Sequence, residues 1–264
     1  MITRQDIVAA IRSLGVQPGD LLIAHSSYRS FNPGDASDRV EGGPAAVAEA
    51  LIDAVSPGGS VFVPTYNYGN DVWDPATSPS YDGVITEHFR KLPGAVRSLH
   101  PTHALAGVGP DATSILANHD KVQPFGEGSP LWKLWERDAW VLLIGVSHEA
   151  NSVAHVAEEL LAMPYLDRRR TAHVARPGGA AEEVILRRPG CSDSWAAVLD
   201  PRLRAAGAVR EAMVGQSRFL LMRSTAVVAA TIELLKNDPA ALLCHRCDCD
   251  ACNSARALLR RSGG

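Results

Sequence analysis

The order in which apolar runs and turn residues alternate between Thr3 and Tyr66 constrains this chain more than any other feature. Thr3 stands three residues ahead of Asp6, the spacing of a helix-capping box, and an apolar-periodic stretch follows over residues 7–14 until Gly15 stops it. Pro18-Gly19-Asp20 makes a turn, and residues 21–24 form a short apolar strand that runs into His25-Ser26-Ser27. Glu41-Gly42-Gly43-Pro44 opens a second helix over residues 45–55, with proline at a tolerated first-turn position. Pro57-Gly58-Gly59 ends it, and residues 60–64 form a second apolar strand. Helix, strand, helix, strand is the pattern of an α/β domain with a largely parallel sheet. Ligands of such sheets bind beyond the carboxyl ends of the strands, where this sequence places His25-Ser26-Ser27 and Thr65-Tyr66.

Farther along, residues 66–83 read as a long polar loop, a length usually reserved for function. Helices are expected over residues 85–92, 114–118, 153–162 and 225–235, and strands over 104–108 and 140–146. Residues 165–225 change character and read as short antiparallel strands. The expected organisation is one α/β domain over residues 1–243, with a β-rich portion at 165–225, followed by a Cys-rich tail at 244–264. A net charge of −3 gives no general reason to expect nucleic acid or an anionic membrane as partner. No apolar run approaches the roughly 20 residues that span a bilayer. The first residues carry no basic-then-apolar leader, so the default location is cytoplasmic.

Several constellations carry chemistry. The first is Asn151-Ser152-Val153-Ala154-His155-Val156-Ala157-Glu158-Glu159, at the start of a helix after a buried strand. His155 and Glu158 are three apart and share a face, the arrangement in which a carboxylate orients an imidazole for general-base work. The competing reading makes the acids solvated helix charges and His155 a packed residue. In Arg97-Ser98-Leu99-His100-Pro101-Thr102-His103, two histidines among hydroxyls could relay protons or hold a phosphate. No third ligand is spaced nearby, which argues against zinc there. His25-Ser26-Ser27 offers strand-end hydroxyls and N–H groups, without the Gly-x-Ser-x-Gly pattern of a serine nucleophile. Five cysteines are present, four of them (Cys244, Cys247, Cys249 and Cys252) within nine residues. They could wrap one zinc or remain free thiols.

Taken in order, these segments resemble the aminoglycoside 3-N-acetyltransferase family. The matching stretches are His25-Ser26-Ser27, Val40-Glu41-Gly42-Gly43-Pro44, Val63-Pro64-Thr65-Tyr66, Pro93-Gly94-Ala95-Val96-Arg97-Ser98-Leu99-His100-Pro101, Gly126-Glu127-Gly128-Ser129-Pro130-Leu131, Leu142-Leu143-Ile144-Gly145-Val146, and Asn151-Ser152 through His155-Val156-Ala157-Glu158. The resemblance covers roughly residues 5–235 and leaves the Cys-rich tail outside. It implies an α/β/α layered sandwich with a smaller β-rich portion, distinct from the commoner acetyltransferase superfamily. It implies acetyl-CoA as donor and direct attack by the 3-amino group of a 2-deoxystreptamine ring in a ternary complex, which confers antibiotic resistance. The family's catalytic histidine falls on His155 and its carboxylate on Glu158. Its CoA-binding segments fall on Ser26, Ser27, Gly42, Gly43, Arg97, Ser98, His100 and Ser129.

Aminoglycosides are polycations, so the receiving surface should be acidic. Asp71, Asp74, Asp82 and Glu87, in or beside the long loop, and Glu149, after the strand that leads to His155, are the candidates. The oxyanion of the tetrahedral intermediate would need donors near Ser26, Ser27 or Thr65. The expected assembly is a monomer or homodimer. The alternatives are a transferase for another biosynthetic amine, a Ser-His-Glu hydrolase, or a zinc-binding protein centred on the tail.

Overall fold

Thr3 caps helix α1 (Arg4–Ser13) as its spacing predicts. Its hydroxyl accepts from the Asp6 N–H at 3.2 Å, and the Asp6 carboxylate accepts from the Thr3 N–H at 2.8 Å. The computed structural model describes the chain apart from residues 35–38, 68–71, 177–178, 188–189 and 263–264. After α1 come β1 (Leu21–Ser26), α2 (Gly43–Val55), β2 (Ser60–Pro64), α3 (Val84–Phe89), β3 (Val96–Arg97), β4 (Leu105–Val108) and α4 (Ala112–Leu116). Then follow α5 (Pro130–Glu136), β5 (Trp140–Ile144), α6 (His155–Leu160), β6 (Arg169–Ala175), β7 (Ala181–Arg187) and α7 (Trp195–Ala205). The order closes with β8 (Arg210–Val214), β9 (Ser217–Arg223), α8 (Ser224–Asn237) and α9 (Asp250–Ser262).

Seven strands form one sheet in the order β3-β4-β2-β1-β5-β9-β8. Among the described residues of this sheet only β1–β2 and β1–β5 are parallel, and the outer pairings are antiparallel. The expectation of a largely parallel sheet therefore holds for the three central strands and fails for the flanks. Antiparallel neighbours need no crossover helix, so helix–strand alternation at the N-terminus says nothing about how later strands join.

Strand alternation divides the interior into two layers. Leu22, Ala24, Val61, Val63, Trp140, Leu142 and Ile144 face α1–α3, while Ile23, Phe62, Val141 and Leu143 face the core built with α4–α9. This is an α/β/α sandwich in which β5 is buried along its whole length. Each large aliphatic side chain so buried contributes about 1.5–3 kcal/mol. Trp140, on the α1–α3 face of β5, lies under the Arg223 guanidinium at 3.6 Å and donates its indole N–H to Asp20 at 2.9 Å.

Residues 165–225 are more varied than a run of short strands. β6 and β7 form a separate two-stranded hairpin, α7 intervenes, and β8 and β9 complete one edge of the main sheet. A bridge from Trp73 to the β6 hairpin, with the Trp73 N–H donating to the His173 carbonyl at 2.7 Å, ties the long loop to it. Cys244, Cys252 and Ala255 are buried in the core on the α4–α9 side, so α9 packs against the body. Among the described residues, no helix is long and apolar enough to cross a membrane.

Candidate active site

Because β1, β2 and β5 run parallel, their carboxyl ends meet at one edge of the sheet. Beyond β5 the chain turns through Gly145 at φ +61°, where a Cβ would come within 1.9 Å of the Ser30 hydroxyl. Only glycine fits there. Two short 3-10 turns, His148–Ala150 and Ser152–Ala154, then lead into α6. A cleft of about 870 Å³ opens at this edge. It is lined by His25, Ser26 and Tyr66 from the strand ends, by Phe125, Glu149, Ser152 and His155, and by Arg170, Cys191 and Trp195 from the segments around the hairpin.

His155 occupies the start of α6. Its Nδ1 lies 2.5 Å from Glu158 Oε2. An ionised carboxylate only accepts, so Nδ1 carries the hydrogen and Nε2 is left with a free lone pair. The other Glu158 oxygen accepts the Tyr165 hydroxyl at 2.9 Å, and Glu158 is 1% exposed. The imidazole is stacked on Phe125, with centroids 4.4 Å apart and planes 3° from parallel, and Trp195 meets it edge-on at 4.5 Å. The ring is thus fixed from two sides. Glu159, the neighbouring acid, bonds to Arg187 at 2.9 Å instead, so Glu158 alone of the pair supports the histidine.

Among the described residues two acids reach the cleft, Asp82 and Glu149. Burial pushes the Asp82 carboxyl up to about 6, against the opposing pull of the Tyr66 N–H it accepts at 2.5 Å. His25, on β1, is 2% exposed with no hydrogen-bond partner for Nε2 among the described residues, and burial holds its pKa down at about 3.

An orienting carboxylate behind a clamped imidazole, on a cleft with acidic groups, suits proton removal from a cationic amine. The sequence model of the family described as aminoglycoside 3-N-acetyltransferase matches residues 23–236. The chain belongs to the aminoglycoside 3-N-acetyltransferase family. Aminoglycoside N(3)-acetyltransferase IV from Salmonella sp is 34% identical, over 89% of this chain and 88% of its own length. A crystal structure of aminoglycoside acetyltransferase AAC(3)-IVa, as a histidine-to-alanine mutant in complex with a gentamicin, superposes with a TM-score of 0.86 at 32% identity, covering 97% of both chains. The AAC-IIIb binary complex with CoASH gives a TM-score of 0.77 at 26% identity, over 89% of this chain and 96% of that one.

The eight residues expected to bind CoA divide into two groups. Ser26 lines the cleft, with Ser27 next to it at the end of β1. Gly42 and Gly43, both at positive φ, open α2. The others are engaged inside the protein. Arg97 donates to the carbonyls of Ser78 at 2.5 Å and Thr65 at 2.7 Å and to the Thr65 hydroxyl at 3.0 Å, which fastens the long loop to the end of β2. Burial lowers the Arg97 pKa to about 10. Ser98 donates to His119 Nδ1 at 2.8 Å, and His119 Nε2–H donates to the Pro124 carbonyl at 3.1 Å. His100 Nδ1 accepts the N–H groups of Thr102 and His103. Ser129 caps α5 by accepting the Trp132 N–H. His119 is a third histidine beside His100 that spacing did not reveal. Both of its ring nitrogens are committed to hydrogen bonds, which takes it out of any metal position shared with His100. His103 lies on the cleft, edge-on to Phe125 at 5.0 Å.

Asp74 turns inward on its own loop, accepting the Ala76 and Thr77 N–H groups, as a turn aspartate does. Glu87 is taken by Arg90 and Lys91. Asp71 lies outside the described residues. Phe125, Tyr165, Trp195 and Arg170 were not found from sequence, because single aromatics and arginines in irregular segments carry no spacing signal. The thiol cluster also differs from the expected one. Cys191 joins Cys244, Cys249 and Cys252, and Cys247 is exposed outside the group.

Proposed function

We propose that this cleft transfers the acetyl group of acetyl-CoA to the 3-amino group of a 2-deoxystreptamine aminoglycoside, with His155 as general base. The single observation that carries this reading is the His155–Glu158–Tyr165 chain on the cleft wall, within a chain of this family. The acceptor arrives as an ammonium, and Asp82 and Glu149 offer it carboxylates at the cleft. His155 Nε2 removes the proton as the amine attacks the thioester carbonyl, and Glu158 balances the imidazolium that results. The tetrahedral oxyanion needs a donor already in place. Ser26, which lines the cleft, is assigned this role, since the Ser27 N–H is bound to the Ile144 carbonyl and the Thr65 N–H and hydroxyl to the Ala104 carbonyl. On collapse the C–S bond breaks, the nitrogen's second proton passes to the departing CoA sulfur, which leaves as the thiol, and the amide forms.

CoA is assigned to the Ser26-Ser27 strand end and to Gly42-Gly43. At the N-terminus of α2 the Gly43 N–H is held by the Val40 carbonyl and Pro44 carries none, so the Ala45 N–H is the one assigned to a phosphate. Arg97, Ser98, His100 and Ser129 are assigned to supporting that surface from within.

Incubation with acetyl-CoA and a panel of aminoglycosides, following thiol release and locating the acetyl group by NMR, tests the reading. Thiol release that depends on the aminoglycoside, with the label on N3, is the expected result. Release without an amine would indicate a hydrolase, and release only with simpler amines would indicate another acceptor.

A further inference from the structure

The Sγ atoms of Cys191, Cys244, Cys249 and Cys252 all lie within 4.8 Å of one another. We propose that these four thiolates bind one Zn²⁺, which fastens the C-terminal segment to the wall of the acceptor cleft. The proposal stands apart from the transfer chemistry, because metal content is read without turnover.

Four observations converge. First, a tetrahedral zinc with Zn–S bonds of about 2.3 Å holds its sulfurs about 3.8 Å apart, a contraction that small side-chain rotations supply. Second, the ligands come from separate places: Cys191 precedes α7, Cys244 follows α8, and Cys249 and Cys252 flank the start of α9. Crowding of neighbours in sequence would have favoured Cys247, which instead is exposed. Third, the Asp193 N–H points at Cys191 Sγ at 3.4 Å, and the Cys244 N–H points at Cys252 Sγ at 3.3 Å. Backbone donors of this kind stabilise ligand sulfur and fix its direction. Fourth, four thiolates and one Zn²⁺ leave a net charge of −2, and cations stand close. Arg256 donates to the Cys244 carbonyl at 2.8 Å, and Arg168 donates to the Ala251 carbonyl at 3.0 Å.

The spacing Cys244-x4-Cys249-x2-Cys252 also matches three ligands of a plant-type two-iron ferredoxin. In a two-iron core, however, each pair of thiolates sits on its own iron, so the pairs stand apart. Mutual approach of all four sulfurs suits a single ion better. Zinc is also redox-inert, which fits a closed structural site.

The site has a consequence for the cleft. Cys191, Ser192, Trp195 and Ala251 all line it, and Trp195 clamps His155. A metal at Cys191 would hold the start of α7 and the start of α9 in register with the catalytic ring.

The experiment is metal analysis of the full chain purified without added zinc, followed by Co²⁺ exchange and X-ray absorption. The expected result is one zinc per chain, thiolate-to-cobalt charge-transfer bands, and four sulfur neighbours. C247S should keep all three, and C191S should lose the metal with a lower Tm. If C191S does not fold, the four-sulfur shell in C247S decides. Zinc no higher than in a buffer blank would overturn the proposal, as would iron with sulfide, a disulfide-linked Cys191 peptide in the purified protein, or loss of the metal in C247S.

Discussion

His155 Nδ1 stands 2.5 Å from Glu158 Oε2, one turn along α6, with both side chains buried. This pairing places the hydrogen on Nδ1 and leaves Nε2 as the nitrogen proposed to act as base. Glu158→Gln keeps the shape of the side chain and removes its charge. A charged hydrogen bond of this kind contributes about 1.5–3 kcal/mol, so kcat should fall about 10–150-fold. The KM values of both substrates should stay within about 3-fold, since the group acts on the transition state. Steady-state kinetics on the variant separates this from a packing defect, which would move kcat and KM together.

Arg97 ties the loop to the end of β2 through the Thr65 and Ser78 carbonyls. Arg97→Lys keeps a cation and loses the fork of donors. We expect a loss of about 2–3 kcal/mol, a Tm drop of about 4–10 °C. CoA affinity, measured by calorimetry, should change little. A large loss of CoA affinity at unchanged Tm would place Arg97 on a CoA phosphate instead.

Asp82 is an acid of the cleft whose carboxyl is held up at about 6 by burial. Its charge, and with it the attraction for an ammonium, is present above that value and is lost as pH falls through it. The KM for the aminoglycoside should rise on going from pH 7 to pH 5. Asp82→Asn, which can still accept the Tyr66 N–H, should show a raised KM at pH 7 and a flatter pH profile. An unchanged KM at both pH values would remove Asp82 from acceptor binding.

His25 and His119 are buried and neutral, with pKa values held by burial at about 3 and about 4. The unfolded chain takes up these protons at about pH 6.5 and the folded chain does so only far lower. Stability is therefore complete above that pH and declines as pH falls toward 4, by about 1.4 kcal/mol per pH unit for each histidine once the window is entered. Denaturant unfolding at pH 7.5, 6 and 5 reads the slope. His119→Gln should lower stability at pH 7.5 and flatten the slope, and a slope that stays the same would show that His119 is not held neutral.

The N-terminal half of the fold was legible because its signals are local. The Thr3–Asp6 box, the Pro18-Gly19 turn and the Gly43-Pro44 helix entry each dictate their own neighbourhood. The His155–Glu158 pair was legible for the same reason, since i,i+3 spacing on a helix is nearly a distance. What joins distant segments was not legible. Nothing in the spacing of Phe125 or Trp195 shows that both close on one imidazole. Cys191 reads as an isolated cysteine until α7 and α9 bring it to the tail. The resemblance places Arg97 among the CoA-binding residues, and only the folded loop shows its donors already engaged. Helix α7, with Pro201 inside it, lacks the clean periodicity that would mark a helix in a stretch otherwise rich in β signals.

The most direct measurement is single-turnover acetyl transfer by His155→Ala, with CoA binding measured on the same sample by calorimetry. General-base assistance contributes about 10²–10⁴-fold, so transfer should slow by that factor while the CoA Kd stays within about 2-fold of the native value. Near-normal transfer in a variant that binds CoA normally would contradict the assignment of His155 as the base.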